Sequence, residues 1–242
     1  MGTVAALRAF AELVLPSCCA GCGAPVAPLC PACDQVVRTA RRGRARPARP
    51  RPCPSGFPPT WSAVPYDGPV AAMLRAFKDA GRGDLAGPLS GLLRTAVAGA
   101  IAGDRQLRAA LLEDRPVLVV PVPSRGASVR ARGREPMSEL ARHAVAGTGL
   151  RVVPALRIGS LVAGAGVDQA GLGADARAVN VAGTMRVRRR AAVVPGSVCL
   201  VLDDIVTTGS TLAESARALR AAGARSVSAA TVAATQRHTT SL

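Results

Sequence analysis

The chain has 242 residues, which is room for one ordinary domain with a small appendage. Apolar residues make up 49% of the chain and charged residues 19%, and this balance excludes an intrinsically disordered protein. The 31 Lys and Arg residues exceed the 15 Asp and Glu residues to give a net charge of +16, but no aromatic residue follows Phe77, so the remainder of the chain lacks a stacking surface for single-stranded nucleic acid.

The N-terminal apolar stretch, residues 4–15, contains Arg8 and Glu12, and a second apolar stretch, residues 152–167, contains Arg157. A membrane-spanning helix needs about 20 nearly uncharged residues, so neither stretch predicts one. The charges of the first stretch lie inside it rather than before it, which is not typical of a secretion signal. We therefore expect a cytoplasmic protein without a membrane span.

A cluster of cysteines follows in residues 1–36, which we interpret as a small N-terminal module. Four of the seven cysteines of the chain form two Cys-x2-Cys pairs: Cys19, Cys22, Cys30 and Cys33. This spacing is typical of a tetrahedral zinc site, and a segment too short for its own core needs such a site to be ordered. Cys18 competes with Cys19 for one ligand position, and the sequence leaves that choice open.

Residues 37–60 are rich in arginine and proline and contain no acidic residue. Prolines at this density disfavour a helix or a central strand, so the segment is predicted to be a linker. Its arginines, together with those of residues 186–190, favour a solvated surface, with nucleic-acid phosphates as the alternative partner.

Residues 61–242 alternate short, valine-rich runs with helical patterns, which predicts an α/β domain with a parallel sheet flanked by helices. The predicted strands are residues 62–66, 117–122, 151–156, 198–202 and 226–234. The predicted helices are residues 68–79, 84–101, 135–147 and 211–222. Between them, residues 157–183 are glycine-rich and without a clear period, as is typical of a functional lid.

The sharpest motif is VCLVLDDIVTTGSTLAE, residues 198–214, in which an apolar strand leads into two carboxylates, a hydroxyl-rich loop and a helix. Backbone N–H groups at the start of a helix form a cradle for phosphate, and the loop residues that would line it are Thr207, Thr208, Gly209, Ser210 and Thr211. The carboxylates, Asp203 and Asp204, are expected to reach sugar hydroxyls or a cation. The loop has no lysine, which excludes a Walker A motif. The alternative is an acidic cap above an ordinary helix.

This motif resembles the phosphoribosyl pyrophosphate motif of type I phosphoribosyltransferases. The resemblance implies that Asp203 and Asp204 bind the ribose hydroxyls and act in catalysis, and that the loop holds the 5′-phosphate. A second strand end leads into Ser124, Arg125 and Gly126, which are similar to the pyrophosphate loop of these enzymes.

The chain also resembles the ComF family in particular, through the PVP segment before an Arg-rich run, the N-terminal cysteines and the pattern DQ-x-GL…R-x-x-N-x-x-G. That pattern places Asp168, Gln169, Arg177 and Asn180 in the lid. Lys78 also matches a ComF position. The resemblance implies structural Zn²⁺, Mg²⁺ bound together with phosphoribosyl pyrophosphate, and transfer of the phosphoribosyl group to an unidentified acceptor.

The second hypothesis is a non-catalytic protein of the same fold that senses nucleotides or handles DNA in competence, with DNA or the DNA-uptake machinery as its partner. Under either hypothesis the linker is expected to lie far from the sugar-phosphate site. Replacing Arg41, Arg42 and Arg44 is therefore expected to change phosphoribosyl pyrophosphate affinity little. The sequence predicts no oligomeric state.

Overall fold

The computed structural model describes residues 18–25, 28–123, 135–159, 183–188 and 195–236. The helices are α1 (Pro31–Arg42), α2 (Gly68–Asp79), α3 (Ala86–Gly103, preceded by a 3-10 turn), α4 (Arg105–Leu112), α5 (Pro136–Val145) and α6 (Ser210–Ala221). The strands are β1 (Arg46–Pro47), β2 (Thr60–Pro65), β3 (Val117–Pro121), β4 (Arg151–Val152), β5 (Leu156–Ile158), β6 (Met185–Val187), β7 (Val198–Val206) and β8 (Ser226–Ala234).

Six strands form one sheet in the order β1-β2-β8-β7-β3-β4. All neighbours pair in parallel except β1, which runs antiparallel to β2. Because β7 lies in the middle of the sheet, the loop that follows it emerges between the β8 side and the β3 side at the carboxyl edge. Ligands of parallel α/β sheets bind at this edge. The predicted α/β fold with a parallel sheet flanked by helices is confirmed.

Alternate residues of the central strands enter two different cores, as the two-residue period of a strand requires. Leu200 and Leu202 pack against helices α2 to α5, whereas Cys199 and Val201 pack against α6 and the two-stranded ribbon of β5 and β6. Valine, leucine and alanine fill both layers, in agreement with the scarcity of aromatic residues.

Helix α3 is the central helix of the larger core, and its Leu89, Leu92 and Ala96 are fully buried. The helical stretch Gly83–Gly103 is long and apolar enough to cross a membrane, although more than half of its apolar window is buried inside the fold. Neither apolar stretch considered from the sequence includes it. Its burial against the sheet is the behaviour of a core helix.

Three sequence predictions differ from the structure. The strand predicted over residues 151–156 is two strands in two sheets, because Pro154 lies between them and cannot donate a ladder hydrogen bond. Strand β7 continues past residue 202 to Val206, because its pairing with β8 continues through Asp203. The segment predicted as a linker holds the end of α1 and the edge strand β1. Proline is tolerated at an edge, where its missing N–H is not needed.

Candidate functional site

The acidic pair ends the central strand, and its two carboxylates occupy different environments. Asp203 is only 7% exposed, and its Oδ1 accepts a hydrogen bond of 2.9 Å from the backbone N–H of Asp204. Burial, and then the negative charge of Asp204, raise the pKa of the Asp203 carboxyl well above its ordinary value. The free site therefore carries a carboxylate that is costly to ionise.

Asp204 is paired with the single lysine of the chain. Lys78 Nζ lies 3.0 Å from Asp204 Oδ2, at the end of α2. Burial lowers the pKa of the Lys78 ammonium, but the charges of Asp204 and Asp203 outweigh burial and raise it overall. In the sequence Lys78 matches a ComF position and is the single lysine of the chain, but it is not among the predicted site residues. The structure brings it to the site from a position 126 residues away in the chain.

The loop after β7 has the geometry expected of a phosphate cradle. Gly209 has a left-handed backbone with φ of 78°, and α6 begins at the next residue. The Thr208 and Ser210 hydroxyls lie 3.1 Å apart, on the positive end of this helix. Thr207, Thr208, Gly209, Ser210 and Thr211 are thus brought together beside the acidic pair. The residue before the helix is Gly209, which has no side chain to cap the first N–H groups of α6.

The Arg/Pro-rich segment lies against this loop. A Cβ atom on Gly209 would come within 2.7 Å of the Phe57 ring and 2.8 Å of Pro50. The segment is held in place by β1 and by hydrogen bonds from Ala48 N to Thr60 O (2.8 Å) and from Arg220 Nη1 to Gly56 O (2.8 Å). The expectation that this segment lies far from the phosphate loop is therefore wrong. The cause is β1 pairing with β2, a contact between segments that the sequence pattern does not reveal.

A cavity of about 680 Å³ opens between this segment and the carboxyl ends of β2 and β8. Four arginines line it on one side, namely Arg44, Arg46, Arg49 and Arg51. Thr207, the first residue of the phosphate loop, lines it on the other side, so the cavity and the loop are continuous.

A buried glutamate ties the ribbon of β5 and β6 to the helix of the phosphate loop. Glu214 in α6 accepts a hydrogen bond of 2.8 Å from Met185 N, and it forms a bidentate ion pair with Arg217 at 2.7 and 2.8 Å. Arg217 also donates to Met185 O at 3.0 Å. Glu214 is 4% exposed, and although burial raises its pKa, the bonds from Arg217 and Met185 lower it overall. The glutamate of the motif is thus structural.

The four predicted zinc ligands converge. Their sulfur atoms all lie within 4.8 Å of one another, and Cys22 Sγ and Cys30 Sγ are 3.7 Å apart. With Zn–S bonds of about 2.3 Å, the edge of a tetrahedral thiolate site is about 3.8 Å, so the cluster fits zinc. Cys19 belongs to the cluster and Cys18 does not, which resolves the choice that the sequence left open.

The cysteine cluster is docked onto the α/β domain. Arg82 donates to the backbone oxygens of Cys18 (3.3 Å) and Pro28 (3.1 Å), and its guanidinium is itself paired with Asp84 at 2.7 Å. A Cβ atom on Gly21 would lie 2.7 Å from Cys33 Sγ and 3.1 Å from Pro69, so only glycine permits this approach.

Two groups of predicted site residues lie outside the described residues. These are the pyrophosphate-loop residues Ser124, Arg125 and Gly126 and the lid residues Asp168, Gln169, Arg177 and Asn180. Their roles stay predictions.

A parallel sheet, an acidic pair at the end of its central strand and a glycine-containing cradle at the next helix define an α/β protein with a candidate phosphate-binding site at the carboxyl edge of its sheet. A family model described as phosphoribosyl transferase domain matches residues 96–241. The chain therefore belongs to the phosphoribosyl transferase domain family. The match includes β3, β7, α6 and β8. No match was found among curated proteins.

We expect Asp203→Asn to stabilise the ligand-free protein. The pKa of Asp203 is raised in the fold, so the stability contributed by its neutral form is lost as pH rises from the ordinary value of 3.8 through the folded value. An asparagine side chain still offers an oxygen that accepts the hydrogen bond from Asp204 N. It cannot ionise, so the variant does not lose stability as pH rises. The unfolding temperature of the variant should exceed that of the native protein by more at pH 8 than at pH 5. Each kcal/mol of added stability corresponds to about 2–4 °C in a protein of this size.

Asp204→Asn is the matched control for that experiment. Its carboxylate is paired with Lys78, so its removal should not stabilise the protein. If Asp203→Asn were as unstable as Asp204→Asn across this pH range, the assignment of a costly buried charge to Asp203 would be wrong.

Proposed function

We propose that the protein is a ComF-type phosphoribosyltransferase that binds phosphoribosyl pyrophosphate with Mg²⁺ and transfers the phosphoribosyl group to an acceptor. The observation that supports this most is the acidic pair at the end of β7, directly followed by the cradle at the start of α6. We propose that the 5′-phosphate sits on the loop from Thr207 to Thr211 and that the ribose hydroxyls face Asp203 and Asp204.

In the proposed reaction the bond between C1 of the ribose and the pyrophosphate oxygen breaks, and its electron pair leaves with pyrophosphate. A lone pair of the acceptor forms the new bond to C1, and the acceptor releases its proton to solvent. Positive charge develops on the ribose in the transition state, so a fixed carboxylate beside the sugar stabilises it. Asp204, held at 3.0 Å by Lys78, is positioned before the substrate arrives.

Magnesium would neutralise the leaving pyrophosphate. Mg²⁺ prefers oxygen ligands and keeps several waters, and it commonly binds through substrate phosphates. The described residues fit this mode, because Asp203 is buried and one oxygen of Asp204 is engaged with Lys78. Substrate oxygens and water would therefore supply most of its ligands.

The test compares two variants by calorimetry with phosphoribosyl pyrophosphate and Mg²⁺. Thr208→Val removes a hydroxyl of the cradle and should weaken binding by about 1.5–3 kcal/mol, the value of a hydrogen bond to a charged group. Asp204→Asn should reduce turnover more than affinity, because its charge acts mainly as the C1 bond breaks. Pyrophosphate release measures turnover once an acceptor is found.

Thr148→Val provides a matched control, because the Thr148 hydroxyl bonds Val145 O at the end of α5. Its affinity for phosphoribosyl pyrophosphate should stay that of the native protein. Equal affinities in Thr208→Val and the control would contradict the phosphate-loop assignment. Loss of binding alone in Asp204→Asn, with no separate loss of turnover, would favour a sensor over an enzyme.

A further inference from the structure

The proposed function assigns no ligand to the arginine-lined cavity beside the phosphate loop. The cavity has a volume of about 680 Å³, and its lining contains four arginines and no acidic residue. None of the four side chains makes a hydrogen bond or ion pair with a residue in the described part of the chain. Like charges gathered in a concave surface raise the local concentration of anions.

The backbone that carries these arginines is fixed before any ligand binds. Arg46 is paired with Ser62 across the β1–β2 ladder, and the N–H of Ala48 is bonded to Thr60 O. Pro50 packs on Gly209. An ordinary solvated arginine-rich surface has no need of a fixed backbone, whereas a preorganised set of guanidinium groups matches phosphate and carboxylate oxygens in a bidentate manner.

The order of the strands indicates which substrate of the proposed reaction the cavity would face. The cavity lies on the β2 and β8 side of β7, whereas the segment predicted to hold pyrophosphate follows β3 on the opposite side. The loop that would hold the donor lies between them. A nucleophile that displaces pyrophosphate attacks C1 from the side opposite the leaving group, so a pyrophosphate held after β3 would leave the side of this cavity to the acceptor.

We propose that this cavity binds the acceptor, and that the acceptor carries a phosphate or carboxylate group recognised by Arg44, Arg46, Arg49 and Arg51. The proposal rests on the proposed transferase function and names the class of its second substrate. The floor of the cavity consists of small side chains, including Ala63, Val64 and Ala234, and its volume admits a molecule as large as a mononucleotide.

The experiment fills the donor site with ribose 5-phosphate, pyrophosphate and Mg²⁺, which cannot turn over, and then titrates two matched pairs of probes. Phenyl phosphate against phenol tests a phosphate without a ribose, and orotate against uracil tests a carboxylate. We expect the anion of at least one pair to bind at least tenfold more tightly than its neutral partner, and the pair that shows this identifies the group. Equal binding within both pairs would overturn the proposal.

Arg46→Gln with Arg49→Gln should reduce the affinity for the favoured anion at least tenfold. The control, Arg105→Gln with Arg225→Gln, removes the same charge outside the cavity and should change it less than twofold. Unfolding temperatures of both double variants verify that they are folded. If the cavity variant loses no more affinity than the control, the arginines do not bind the acceptor.

Binding of ribose 5-phosphate to the same proteins separates the two proposals. The affinity for ribose 5-phosphate should fall much less in the cavity variant than the affinity for the favoured anion. The loop from Thr207 to Thr211 holds that phosphate directly, and the neighbouring arginines act on it only through their charge. An equal loss there would assign the arginines to the donor and overturn the acceptor site. Absence of ribose 5-phosphate binding in the native protein, with arginine-dependent anion binding retained, would instead contradict the transferase function alone.

Discussion

Gly209→Ala should destabilise the protein and abolish tight binding of phosphoribosyl pyrophosphate, since Gly209 is constrained in two ways. Its φ of 78° costs a residue with a side chain about 1–2 kcal/mol. Its Cβ would also meet the Phe57 ring at 2.7 Å and Pro50 at 2.8 Å, an overpacking that costs typically 1–3 kcal/mol more. Relief of this clash would push the loop away from the geometry that aims its N–H groups, so affinity should fall at least tenfold.

Gly147→Ala separates the two constraints. Gly147 has the same φ of 78°, but nothing lies within 4 Å of the added Cβ. The Gly147→Ala variant should therefore lose only the stability that the left-handed backbone costs, about 1–2 kcal/mol, and should keep the native affinity for phosphoribosyl pyrophosphate. Urea unfolding and calorimetry on both variants measure the difference. Equal destabilisation of the two variants would mean that the segment carrying Pro50 and Phe57 does not pack on the phosphate loop.

Replacing Cys30 and Cys33 by serine should remove one zinc ion per chain and cause the largest loss of order near the N-terminus. Bound zinc contributes on the order of 10 kcal/mol to the folding of such a segment. The contacts that remain include the bonds from Arg82 to Cys18 O and Pro28 O and the burial of Val37 in the main core, and these do not hold the two cysteine pairs together. Metal analysis of protein purified without added zinc, with proteolysis of the N-terminal region, measures both effects.

Cys53→Ser is the matched control for the zinc experiment, because Cys53 is half-buried and lies outside the cluster. It should retain stoichiometric metal and native resistance to proteolysis. An empty site in fully folded native protein, or metal retained in the double variant, would disprove the assignment of the four ligands.

Features that depend on local chemistry could be predicted from the sequence. The bounds of β8 and α2 agree with the prediction, and Gly223 ends α6 with φ of 94°, as expected of a glycine after a helix. The cysteine ligands were predicted for the same reason, because the Cys-x2-Cys spacing itself defines the geometry of the site.

Features that depend on contacts between distant segments could not be predicted. The strand β7 extends through two aspartates, which are unfavourable in strands, because pairing with β8 compensates for their low propensity. The pairing of Lys78 with Asp204 leaves no periodic signal, and neither does the packing of Phe57 on Gly209. The composition of residues 37–60 predicted an isolated linker, since composition reports local propensity and says nothing about which strand edge is free to pair.

The segment of residues 37–60 also supplies one of the two edge strands of the sheet. Both edges of the six-stranded sheet are strands of only two residues, β1 (Arg46–Pro47) and β4 (Arg151–Val152), and each begins with an arginine. Short edges with charge and proline offer few free N–H and C=O groups to another chain, so they suppress edge-to-edge aggregation. If the segment carrying Arg46 and Arg49 were released, the much longer β2 would be left as a bare edge. The segment proposed to recognise the acceptor thus also covers one edge of the sheet.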